Sequence, residues 1–171
     1  MKNLVKIASL VLVGAATTVT AQDTFNLQYY FPNLSSTYDG ATSFTADGST
    51  YALPEGDFNV SAASGVLTFT FLRTSSWTPA TFNGFTLDLT TGGTFTSVTK
   101  DAATTESTFT GSEISLTSPT EFTVNWQSEA FTAGDTVVLD YSAVAAPEPG
   151  TLALAGLGIA GLVTARRRSS K

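Results

Sequence analysis

From residue 22 to residue 146, hydrophobic and polar side chains alternate with a period of two in one segment after another. In 121–127, Phe122, Val124 and Trp126 fall on one face, and Thr123, Asn125 and Gln127 on the other. In 65–73, Leu67, Phe69 and Phe71 oppose Thr68 and Thr70. In 84–90, Phe85, Leu87 and Leu89 oppose Thr86, Asp88 and Thr90. Successive side chains of a strand point to opposite faces, so this period predicts strands with one buried face. Segments 24–31, 49–53, 58–62, 93–99, 113–117 and 136–143 read the same way, for about nine strands. Turn signals separate them: Asp39-Gly40, Asp47-Gly48, Pro54-Glu55-Gly56, Thr91-Gly92-Gly93, Ser118-Pro119 and Ala133-Gly134-Asp135. Short strands, frequent turns and no amphipathic helical stretch predict an all-β fold. We expect an antiparallel β-sandwich of jelly-roll or Ig-like kind over 22–146, with a closed barrel as the alternative. Trp126 shares its face with Phe122 and Val124 and is assigned to the core.

Both ends depart from this pattern. Residues 1–21 combine Lys2 and Lys6 with an apolar run over 7–16 and small residues at Val19-Thr20-Ala21. That order predicts a signal peptide, cleaved by signal peptidase between Ala21 and Gln22. At the other end, Pro147-Glu148-Pro149 precedes an apolar, Gly/Ala/Leu-rich run over 151–165, and then Arg166, Arg167 and Arg168. The prolines lack backbone N–H groups, and Pro149 biases Glu148 towards an extended shape, so the tripeptide reads as a stiff exposed connector. As a hydrophobic helix the run would reach about 22 Å, and with flanking residues and local thinning it could cross a bilayer. The arginines would then stay on the cytoplasmic side of the inner membrane.

Residues 147–171 closely resemble the PEP-CTERM sorting signal. Pro147, Glu148 and Pro149 match its tripeptide, 152–163 its apolar stretch, and Arg166, Arg167 and Arg168 its terminal cluster. Ala146 stands where valine usually precedes the tripeptide. The resemblance covers about 25 residues. It implies handling by an exosortase, an integral membrane enzyme of Gram-negative bacteria that usually make exopolysaccharide. It also implies removal of the tail, with release or attachment at the cell surface.

Composition narrows the chemistry of the middle. The 171-residue chain has a net charge of −6, no cysteine and no histidine. Between 22 and 146 there are 13 acidic residues and two basic ones, Arg73 and Lys100. That balance argues against nucleic acid as a partner and against anionic polymers, unless divalent cations bridge them. Absent cysteine removes disulfides and thiolate chemistry; absent histidine removes the commonest general base and metal ligand. We therefore expect no catalytic residues and no enzyme. Serine and threonine total 48, as outward strand positions require. No cofactor is expected apart from calcium, for which Asp47, Glu55 and Asp57 are the candidate ligands. For glycan contact the candidates are Trp77, placed by Ser75-Ser76-Trp77-Thr78-Pro79 in a polar loop, together with Tyr29 and Tyr30, and Tyr38 as a further ring. The expected role is a non-enzymatic, structural or adhesive one at the cell surface or in the extracellular matrix of a biofilm, linked to exopolysaccharide. A carbohydrate-binding module is the alternative, and a small glycan-active enzyme the third reading.

Overall fold

A computed structural model describes residues 22–145. The signal peptide, with Ala21, lies outside the described residues. So do the sorting motif (Pro147, Glu148, Pro149, Arg166, Arg167 and Arg168) and the expected C-terminal helix. The described residues form twelve strands and no helix. In chain order these are β1 (Thr24–Tyr30), β2 (Thr42–Thr45), β3 (Thr50–Ala52), β4 (Phe58–Ala63), β5 (Val66–Phe71) and β6 (Ser75–Ser76). β7 (Gly84–Thr91), β8 (Thr94–Lys100), β9 (Ile114–Ser118), β10 (Glu121–Asn125), β11 (Ala130–Phe131) and β12 (Thr136–Val144) follow. One sheet has the order β2-β1-β7-β10-β9 and the other β3-β4-β5-β12-β8, while β6 and β11 pair as a short ribbon. Every pairing is antiparallel. Both five-stranded sheets are open-edged, so the fold is a sandwich and not a closed barrel.

The alternation seen in the sequence is what buries the core. Phe25 and Leu27 of β1, Val60 of β4, Leu67, Phe69 and Phe71 of β5, and Val137 and Leu139 of β12 all lie inside. Each such side chain contributes about 1.5–3 kcal/mol on leaving water. Trp126 is fully buried, as its face predicted. It packs against Phe58 (5.5 Å between ring centres), Phe71 (4.9 Å), Phe131 (4.8 Å) and Trp77 (6.1 Å). All nine expected strands form; β2, β6 and β11 were not anticipated, being two to four residues long. The outer face differs in one respect. Thr86 and Thr123, expected in water, are each 6% exposed. The segments before β7 and after β1 fold back over them, tied by the Phe82 N–H to the Pro32 carbonyl (3.1 Å).

Strand register gives the sandwich two distinct ends. Thr24 opposes Thr91, and Tyr30 opposes Gly84. Val144 opposes Thr94, and Thr136 opposes Thr70. Hence Gln22, the β7–β8 turn and the close of β12 share one end, the terminal pole. The end of β1, the β3–β4 turn, β6, β11 and the start of β12 share the other.

Candidate functional site

A cleft of about 200 Å³ opens at the pole opposite the termini. Its walls come from segments far apart in sequence. β1 delivers Tyr29 and Phe31 at its end, the following loop Tyr38, the β3–β4 turn Glu55 and Asp57, β6 with its extension Trp77, and the approach to β7 Asn83. The β6–β11 ribbon is what closes the floor. It folds 75–78 down onto the core, where Trp77 meets Phe71 and Phe131 edge-on, at 5.5 and 5.0 Å.

Polar side chains link these walls. The Trp77 indole N–H donates to the Tyr29 hydroxyl, and that hydroxyl donates to Asn83 Oδ1 at 2.8 Å. Asn83 Nδ2 donates to the Thr78 carbonyl at 3.0 Å, and its own N–H to Asn125 Oδ1 at 3.0 Å. Burial holds the Tyr29 hydroxyl far above the usual phenol range, against the pull of the Trp77 bond. Tyr29 is thus a neutral, fixed hydrogen-bonding post.

The acidic side is organised around Arg73. Its Nε sits 3.0 Å from Asp57 Oδ1, and Nη2 donates to the Glu55 and Gly56 carbonyls at 2.9 and 3.0 Å. Gly56 turns the chain with φ +66°. Burial, and next a hydrogen bond to the Asp39 carboxyl, push the Glu55 carboxyl up to about 7 from its ordinary 4.5. Asp39 Oδ2 is buried without a donor otherwise. A proton on Glu55 supplies that donor, so the two acids are best satisfied when they share one.

The structure sorts the residues singled out from the sequence. Trp77 and Tyr29 meet in the cleft, and Tyr38 joins them. Trp77, however, is buried at 8% exposure and not an open loop ring, because the unanticipated ribbon β6–β11 carries it inward. Its indole is floor and not platform; the exposed ring is Tyr38, at 60%. Tyr30, next along β1, points to the opposite face and stays out of the cleft, as strand alternation dictates. The calcium candidates are divided. Asp47 follows β2 at the terminal pole, taken up by the Ser49 N–H at 2.8 Å, while Glu55 and Asp57 lie at the far end of the β3–β4 hairpin. Among the described residues no group of three or more acidic side chains is placed to hold a metal ion. Phe31, Asp39 and Asn83 were missed. Only Asn83, between Phe82 and Gly84 at a strand start, had a local signal.

A second, shallower concavity of about 530 Å³ runs over the outer face of β9 and β10, between Ser115, Thr123, Asn125 and Gln127. Leu34 and Phe82 line it as well, and it offers no open aromatic ring. Among the described residues no helix is long and apolar enough to cross a membrane.

Comparison with known proteins bears on the tail. Residues 145–168 match the family model of the PEP-CTERM protein-sorting motif. No curated protein and no solved structure gives a significant match. The chain therefore carries a PEP-CTERM motif, the signal of a surface protein exported across the membrane and processed by an exosortase.

Proposed function

We propose that the β-sandwich is a non-enzymatic adhesive domain that ties the cell surface to extracellular polysaccharide through the cleft. The observation carrying this is the exposed ring of Tyr38 beside a fixed polar set, Tyr29, Asn83, Glu55 and Asp57, in one concavity. A sugar ring offers an apolar face and a rim of hydroxyls, which need those two kinds of partner side by side. The volume supports a short contact. At about 200 Å³ it falls below the roughly 300–1,000 Å³ of pockets that enclose drug-sized ligands, so it suits one ring or a chain end. Charge narrows the ligand: two carboxylates in the lining, in a domain with 13 acids against two cations, favour neutral or amino sugars over uronic acids. The same carboxylates support a second reading, a small glycan-active enzyme, since Glu55 holds a proton near neutrality as a general acid does.

Binding of the exported protein to a panel of neutral, amino-sugar and uronate polysaccharides tests this. We expect saturable binding to the first two classes, and at least a tenfold weakening in Tyr38→Ala, about 1.4 kcal/mol. Binding to no glycan by the folded protein would remove the adhesive reading. Release of shorter sugars would put the enzyme in its place.

A further inference from the structure

The negative charge of the cleft is unevenly offset. Asp57 has a counter-ion, the Arg73 Nε at 3.0 Å. Asp39 and Glu55 have none. Of the two cations between 22 and 146, Arg73 is engaged by Asp57 and by the Glu55 and Gly56 carbonyls. Lys100 closes β8, at the sheet edge opposite β3, and donates to the Phe109 carbonyl. Even with one proton shared between them, Asp39 and Glu55 therefore keep one negative charge with no cation beside it. That charge lies against the cleft. Glu55 is in the lining, and Asp39 is bonded to it from outside the lining, with Oδ2 buried and lacking any other donor.

The same cleft is walled by three aromatic rings. Tyr38 meets Tyr29 at 6.1 Å and Phe31 at 6.2 Å between centres, inclined by 64° and 89°. All three line the concavity. The backbone brings ring and acid together. The Tyr38 N–H donates to the Tyr29 carbonyl at 3.0 Å, and Gln28 Nε2 donates to the Asp39 carbonyl. Two successive residues of the loop after β1 are thus pinned to the strand that carries Tyr29.

An open aromatic face and an uncompensated carboxyl attract the same kind of group. The ring draws a cation to its face, and the carboxyl accepts charge-assisted hydrogen bonds from its N–H groups. A quaternary ammonium suits the rings but brings no N–H to the carboxyl. A neutral sugar brings hydroxyls but no charge, and a uronate brings the wrong one. We propose that the cleft selects sugars with a free primary amine, the ammonium resting against Tyr38 and donating to the Glu55 carboxyl, with Asp39 as the positioning residue that holds Glu55 and supplies the charge. This rests on the glycan reading of the cleft and narrows it to one class of sugar.

Calorimetry of the exported protein with oligomers of glucosamine, N-acetylglucosamine and glucose, matched in length and linkage, tests it in a mildly acid buffer that keeps the amine charged. The ratio of affinities is the readout, since general damage to the cleft weakens all three alike. The glucosamine oligomer is expected to bind roughly tenfold tighter than the two neutral ones. Glu55→Gln should bring that ratio close to one, and Asp39→Asn should narrow it. Asp88→Asn, which removes a carboxylate from β7 away from the cleft, should keep it. Equal binding of the three oligomers overturns the amine selection and leaves the glycan reading standing; binding of none removes that reading as well. A preference that survives Glu55→Gln, or that Asp88→Asn abolishes equally, overturns the site by tracing the effect to the overall acidity of the domain. Choline displacing the oligomer as well as free glucosamine does overturns the role of the carboxyl.

Discussion

The two poles of the sandwich share tight glycine contacts but differ in what surrounds them. At the terminal pole, Gly92 lies against the Asp23 carboxylate and Gly93 against the Val144 carbonyl, with no room for a Cβ at either. At the cleft pole, side chains converge without closing, and they leave a concavity, an exposed tyrosine and a carboxylate oxygen that needs a shared proton. Gly84 lies as tightly against the Val124 carbonyl at the cleft pole, but at the terminal pole such contacts fix where the chain enters and leaves the fold. The cleft pole keeps polar groups imperfectly satisfied, which is what a surface meant to receive something requires.

Substitutions can break that contrast. The largest effect is expected from Gly93→Ala, whose Cβ would strike the Val144 carbonyl. Strain of that order costs about 3 kcal/mol in urea unfolding. Gly134→Ala at the cleft pole, with φ +96° but open space around it, should cost about 1 kcal/mol from conformation alone. Equal losses would mean that the poles are equally tolerant. Trp77→Phe keeps an aromatic floor but removes the N–H donated to Tyr29; we expect a loss of about 1–2 kcal/mol by thermal unfolding. Glu55 adds an effect of pH. Its folded carboxyl titrates near 7 and its unfolded one near 4.5, so folding takes up a proton between those values. Stability is therefore fullest below about pH 4.5, falls as pH rises to 7, and levels off above. Glu55→Gln should flatten that slope, while an unchanged slope would place its origin elsewhere. Tyr38→Ala should be nearly silent in stability, within about 0.5 kcal/mol, since its ring is mostly in water.

The sandwich was legible because burial on one face writes itself as a period of two over five or more residues, as in β5, β7 and β10. The short strands β6 and β11 carry no period. Their pairing across more than fifty residues is set by tertiary packing, and it is what carries Trp77 inward from its polar loop. For the same reason the cleft was visible only as separate pieces. Tyr29, Trp77, Glu55 and Asp57 each stood out locally, but nothing in sequence says that the ends of β1, β3 and β5 share a pole. Asp47 and Glu55 are close in sequence yet lie at opposite ends of β3, so sequence proximity suggested a cluster that the fold splits. The tail is the reverse case. Its three parts lie in one linear order, which a local pattern reveals without any fold at all.

The aromatic floor also makes the molecule self-reporting. The chain has two tryptophans, and both lie in one stack beneath the cleft, 6.1 Å apart and inclined by 29°. Indoles that close share their electronic transitions, and one of them is wired by its N–H to a tyrosine of the cleft wall. Near-ultraviolet circular dichroism and intrinsic emission thus come from the floor of this one concavity, with no other indole to dilute them. A guest settling over Tyr38 would be heard in that signal without any label.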